Sequence, residues 1–172
     1  MGPITQVSGT VGATVEAASQ GIPAIAFSGA SGDQIAWDTS PLPLYVSIYA
    51  DLAFNVTSTL LASGTPYLPK NTWLNVNFPE VSDVKCPEVA QFKFILTRIH
   101  QEVPFFSDDD VEVCGNGERL PEEGEVIKRR DGCWVSVSVG KVEKKLDAEA
   151  KEQGVVAEKL GGLLSCLPGE DD

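Results

Sequence analysis

The first twenty-eight residues restrict this chain more than any other stretch. Ile4-Thr5-Gln6-Val7 leads into Ser8-Gly9-Thr10-Val11-Gly12-Ala13, and a run to Gln20 leads into Gly21-Ile22-Pro23-Ala24-Ile25-Ala26-Phe27-Ser28. Ser8 or Thr10 suits a helix N-cap, because a short side-chain oxygen there accepts from an otherwise orphaned N–H. Gly21 suits the position just past the helix end, and Pro23 cannot continue a helix. Ala24 to Phe27 is a short apolar run of the kind that forms a buried strand. The unit therefore reads as loop, helix, turn, strand, the building block of an α/β domain. A helix that opens on Ser-Gly-Thr presents free N–H groups, two hydroxyls and the positive end of its dipole, which suit a phosphate. Gly9 lets such a ligand come close to the backbone. The competing reading is an ordinary capped helix.

Downstream, Leu44, Ile48, Leu52, Val56 and Leu60 recur at helical spacing within 41–63, with Pro41 and Pro43 at the entry and Gly64 at the exit. Thr72 to Phe78 reads as a strand that stops at Pro79. Asn75 and Asn77 fall on one of its faces and need partners if buried. Phe92 to Ile99 reads as another strand. Trp134 to Val139 alternates cleanly, as a strand with one buried face does. Asp147 is placed to cap a last helix running to about Leu163, with Gly161-Gly162 at its end. The connecting loop 29–40 is rich in Gly, Ser and Asp. Ser28, Ser31 and Asp33 would line a rim there, since ligands of open α/β sheets gather at the carboxyl ends of strands. A solvated loop is the plainer reading.

The segment from His100 to Val126 differs in character. It holds Pro104, the run Asp108-Asp109-Asp110 and an Asn116-Gly117 pair that suits a hairpin turn. The three Asp residues lack calcium-loop spacing and read as a solvated acidic loop. Lys128-Arg129-Arg130-Asp131 is the one basic cluster, too short for a nucleic-acid patch.

Bulk properties narrow the classes further. The chain has 172 residues, 42% of them hydrophobic, and a net charge of −12. That is one domain's worth with room for a sizeable core. The charge disfavours a nucleic-acid polymer as partner. No run of eighteen apolar residues and no leader are evident. Cys86, Cys114, Cys133 and Cys166 form no Cys-x-x-Cys pair and have only His100 for company, so zinc is not expected. Free thiols and disulfides stay open. Asn55-Val56-Thr57 is a glycosylation acceptor pattern. There is no Gly-x-Ser-x-Gly elbow and no P-loop.

The opening block, Ser8 to Ala13 followed by Gly21 to Ser28, resembles the survival protein E family, SurE, metal-dependent 5′/3′-nucleotidases and acid phosphatases. Leu74-Asn75-Val76-Asn77-Phe78-Pro79, Phe94-Ile95-Leu96-Thr97-Arg98-Ile99 and Asp131-Gly132-Cys133-Trp134 through Val139 resemble later strands of that family in its order, the last in the form of fungal members. The resemblance runs from Gly2 to about Cys166. It implies a three-layer, Rossmann-like α/β fold with a mainly parallel sheet, an antiparallel β arm over about 100–126 that pairs with another subunit, and a C-terminal helix. The chain reads as a single domain over 1–172, with 169–172 as a disordered tail. The resemblance also implies that Ser8, Gly9 and Thr10 hold the phosphate of a phosphomonoester or nucleoside monophosphate. The family binds a divalent metal, magnesium or manganese, through an Asp-Asp pair, a Ser or Thr and an Asn that all precede the Ser-Gly-Thr turn. Those positions would lie before Met1, so the chain reads as N-terminally truncated, with no metal ligands and no catalytic residues of its own. The expectation is a phosphatase family member inactive in isolation. The alternative is a non-catalytic, oligomerising protein built on the same fold. Four cysteines and the Asn55 pattern point to a secreted parent.

Overall fold

A computed structural model describes residues 7–100, 109–143 and 146–168. The elements run α1 (Gly9–Ser19), β1 (Ile25–Gly29), α2 (Leu44–Ala62), β2 (Thr72–Phe78), a 3-10 turn (Val89–Gln91), β3 (Phe92–Thr97), α3 (Glu123–Lys128), β4 (Cys133–Lys141), α4 (Ala150–Leu160) and a closing 3-10 turn (Gly161–Leu163). The four strands form one sheet in the order β1-β2-β4-β3.

The sheet is mixed, where a mainly parallel one is expected from the sequence. β1 and β2 are parallel, β4 is antiparallel to β2, and β3 is parallel to β4. The connection from β2 to β3 explains the reversal. A parallel return is usually made through a crossover helix. Between Phe78 and Phe92 the chain has only the 3-10 turn, so it comes back running the other way. β4 then fills the slot between them.

Period-two alternation sorts the strands' side chains onto two faces. One face is apolar. Leu74, Val76 and Phe78 of β2, Val135, Val137 and Val139 of β4, and Phe92, Phe94 and Leu96 of β3 pack there with Ile48, Leu52, Val56 and Leu60 of α2 and with Val156 and Leu160 of α4. Phe27, Phe78 and Tyr49 stack in series, with centroids 5.8 and 5.2 Å apart. α2 has the length and composition to cross a bilayer. Here its apolar stripe is the main contributor to the core, and Phe54 and Leu61 face outward. The other face carries Ala26, Trp73, Asn75, Asn77, Thr97, Ser136 and Ser138, and is covered by α1 and α3. Val11 and Ala18 of α1 pack with Ala26, Trp73 and Ile99 in a second, smaller cluster. Helices on both sides make three layers and leave every residue of β2 buried.

Two expectations shift at the C-terminal end. The last helix is shorter than 147–163, and its N-cap is Glu149, locked by a capping box with Glu152. Asp147 serves elsewhere: its carboxylate accepts from the Ile99 and His100 N–H groups and meets His100 Nδ1 at 3.2 Å. Of the segment read as an arm, 101–108 lie outside the described residues. Residues 109–126 form no strand. They fold back on the body and end in α3, and the Asn116-Gly117 turn is knitted by side chains, with Glu118 N–H donating to Asn116 Oδ1 at 3.1 Å. The tail at 169–172 also lies outside the described residues. The four cysteines form two disulfides, Cys86–Cys133 and Cys114–Cys166.

Candidate functional site

Ser8 is the N-cap of α1. It has extended backbone angles, and its Oγ accepts from Val11 N–H at 3.3 Å. Gly9 and Thr10 are exposed, and no acidic residue sits in the first turn. An N-terminal helix turn of this kind keeps N–H groups available to an anion. Gly21, at φ +78°, lets the chain reverse after α1. β1 follows the helix after a connection of five residues.

The rim residues divide. Ser31 is a structural tie: its N–H donates to Tyr49 Oη at 2.9 Å, and its hydroxyl exchanges hydrogen bonds with the Val81 backbone. Tyr49 Oη in turn donates to Pro79 O at 2.8 Å. The loops after β1 and β2 are thereby fixed to α2 and to each other. Ser28 and Asp33 are exposed. The acidic run also divides. Asp109 is solvated, with its side chain 99% exposed, whereas Asp110 is buried at 3% and pairs with the buried Arg98 at 3.0 Å. Gln153 Nε2 donates to the other Asp110 oxygen at 3.1 Å. The basic cluster is a turn in which Arg129 pairs with Asp131 and lies over Trp134. Hydrogen bonds from Arg129 and then Trp134 hold the Asp131 carboxyl down at about 2.

A layer that sequence reasoning missed lies between the sheet and α3. Glu123, 1% exposed, reaches from α3 onto the polar sheet face. Its Oε2 accepts from Asn75 Nδ2 at 2.7 Å, Asn77 Nδ2 at 3.2 Å and Ser138 Oγ at 3.3 Å. Its Oε1 is buried without a partner among the described residues. Asn77 also donates to Ser136 Oγ at 3.2 Å, and Thr97 and Ser138 share a hydrogen bond of 2.7 Å. Burial pushes the Glu123 carboxyl above the ordinary glutamate range, against the opposing pull of the Asn75 and Ser138 hydrogen bonds. The alternation of Asn75 and Asn77 was the only signal in the sequence. Their partner lies 48 residues away from Asn75.

A divalent metal of the kind the resemblance implies needs several convergent oxygen ligands. Among the described residues no group of three His, Cys, Asp or Glu side chains comes together. The oxygen-rich layer around Glu123 supplies one carboxylate, and its Asn amides are turned donor-first toward it. The described residues do not fit the metal, and no chemistry is routed through one.

The family sequence pattern described as survival protein SurE matches residues 1–103. An acid phosphatase of Yarrowia lipolytica (strain CLIB 122 / E 150) is 32% identical over 166 residues, covering 81% of this chain and 45% of that protein. The crystal structure of SurE protein from Aquifex aeolicus superposes with a TM-score of 0.46 at 24% identity, over 83% of this chain and 55% of its own. The chain thus spans about half the length of these relatives. With the family pattern extending over more than half of its 172 residues, the chain belongs to the survival protein SurE family.

Proposed function

We propose that the protein serves phosphomonoester hydrolysis, as a nucleotidase or acid phosphatase, and that this chain contributes the phosphate-holding turn and not the metal. The observation that carries the reading is the capped start of α1. Ser8 fixes the turn, Gly9 leaves it open, and Thr10 adds an exposed hydroxyl, in a chain 32% identical to a protein named acid phosphatase. The helix end supplies on the order of 0.3–1 kcal/mol toward an anion when exposed. Phosphate-monoester hydrolysis is among the slowest uncatalysed reactions, with enzymatic accelerations of up to about 10²¹. The turn therefore binds and orients, and a helix end does not itself supply barrier lowering on that scale.

The test is phosphate release from a nucleoside monophosphate and from an aryl phosphate, with added magnesium or manganese. The 172-residue chain is expected to give no metal-dependent turnover. A longer chain carrying the upstream Asp-Asp segment is expected to turn over, and Thr10→Ala in that chain to weaken inhibition by inorganic phosphate. Loss of a cap costs about 0.5–2 kcal/mol, so unfolding is followed beside the kinetics. Clear metal-dependent turnover by the short chain, lost in Ser8→Ala, would show that its ligands lie within these residues. The second reading, a non-catalytic oligomerising protein, is favoured by the donor set of the described residues and predicts that the longer chain is silent too. The two disulfides are consistent with an oxidising compartment, which supports a secreted parent. Asn55 adds little to that, because it sits half-buried inside α2, where Thr57 Oγ1 is bonded to Ala53 O at 2.8 Å.

A further inference from the structure

We propose that the cavity beside the outer edge of β3 binds an extended peptide segment, which adds to the sheet opposite Leu96. β3 ends the sheet, and its register with β4 uses one side of the strand. Successive residues of a strand direct their N–H and C=O groups to alternate sides. On the outer side, Ser165 N–H donates to Phe94 O at 2.8 Å. Four residues on, Arg98 N–H donates to Pro121 O at 3.0 Å and Glu123 N–H donates to Arg98 O at 2.9 Å. Both clasps run parallel to β3. Leu96 lies midway between them. Its N–H and C=O point the same way and find no backbone partner among the described residues, although the residue is only 2% exposed. A buried main-chain pair left this way calls for a partner.

The C-terminal segment does not supply that partner. Continued past Ser165 in the same register, it would bring Leu167 N–H to Leu96 O. Instead Cys166 is tied to Cys114, and Ser165, Leu167 and Pro168 form one wall of a cavity of about 790 Å³ that also reaches Leu96. That volume falls within the range of small-ligand sites, roughly 300–1,000 Å³. Val113, Leu120 and Val126 give it an apolar lining fit for a side chain. Its charged lining has both signs, Arg119 and Arg129 with Glu118 and Glu125. Arg119 is paired with Asp109 and Arg129 with Asp131. A bare anion therefore gains no field there, whereas a peptide unit finds a donor, an acceptor and an apolar pocket. The arrangement required is the one Pro121 and Glu123 already make around Arg98: a C=O from the preceding residue and an N–H from the following one. This is recognition by strand addition.

The probe is N-acetyl-leucine N-methylamide, whose acetyl C=O and methylamide N–H bracket Leu96 in that geometry, titrated into the 172-residue chain and followed by amide NMR. The expected result is a saturable shift of the Leu96 amide. The methyl ester analogue, which has no N–H for Leu96 O, is expected to bind about tenfold more weakly. Val126→Trp, which fills the cavity, is expected to abolish the shift. Leu167→Trp fills it from the half-exposed wall and decides the matter if the first variant does not fold. Absence of a saturable Leu96 shift, equal binding of amide and ester, or binding that survives in the folded filled variants would overturn the proposal.

Discussion

Glu123 is buried against Asn and Ser donors that converge on Oε2. Burying an ionised carboxylate with neutral partners is costly, and the group responds by holding its proton to higher pH. The sign of the linkage follows. Below the ordinary glutamate range, folded and unfolded chains are both protonated and Glu123 contributes no slope. As pH rises above that range, the unfolded chain ionises first and stability falls, until the raised folded value is passed and the curve levels. Glu123→Gln keeps the accepting oxygen and removes the charge. Its urea midpoint is expected to vary less between pH 4.5 and 8 than that of the parent, and to lie at or above the parent's at pH 8. Glu123→Ala strands the Asn75 and Asn77 donors, at about 1–3 kcal/mol for each buried group left unmade. Parallel pH profiles for parent and Gln variant would contradict this account of the layer.

At the scale of elements, the strands owe their places to close approaches as much as to propensity. Gly140 pairs with Trp73 across β2 and β4, and a Cβ at 140 would collide with the indole ring. Trp73 is fully buried there, and its Nε1 donates to Lys141 O at 3.0 Å. Gly140→Ala is therefore expected to cost about 1–3 kcal/mol, as overpacking does, measured by denaturant unfolding; an unchanged midpoint would mean that the ring has room to move. These elements also show what the sequence discloses. Thr72 to Phe78 was legible to the residue, because β-branched and aromatic residues alternate with Asn and stop at a proline. The helical stripe of α2 was legible for the same reason. Strand direction was not, since an apolar pattern reads alike from either end and the reversal depends on the 79–91 connection folding as a 3-10 turn and not as a crossover helix. Asp147 sits at cap-like spacing from α4, yet its carboxylate is claimed by N–H groups 48 and 47 residues earlier. Asp110 looked solvated because it stands in an acidic run whose Asp109 is exposed, and Arg98, twelve residues away, takes it inside. The Ser8 cap was visible because capping is local; the partner of Asn75 was hidden because it is not.

For the molecule as a whole, the two disulfides join segments 47 and 52 residues apart. Loops of that length restrict the unfolded chain by about 4 kcal/mol each in the chain-entropy account. Cys86–Cys133 ties the β2–β3 connection to the start of β4. Cys114–Cys166 ties the loop before α3 to the C-terminal segment. Reduction with thiol, verified by the mass gained on alkylation, is expected to lower the melting temperature by many degrees and to loosen 109–121 and 164–168 first in hydrogen exchange. An unmoved melting temperature after complete reduction would mean that the packed layers alone hold the fold. The sheet order has its own consequence in time. β4 is last in the sequence and third across the sheet, so during synthesis β2 and β3 wait with their inward edges bare until Cys133–Lys141 leaves the ribosome. A nascent chain stopped short of that point has the β1–β2 pair and a lone β3 with no strand to join them, which makes the interval before β4 emerges the one in which its apolar edges are most open to wrong partners.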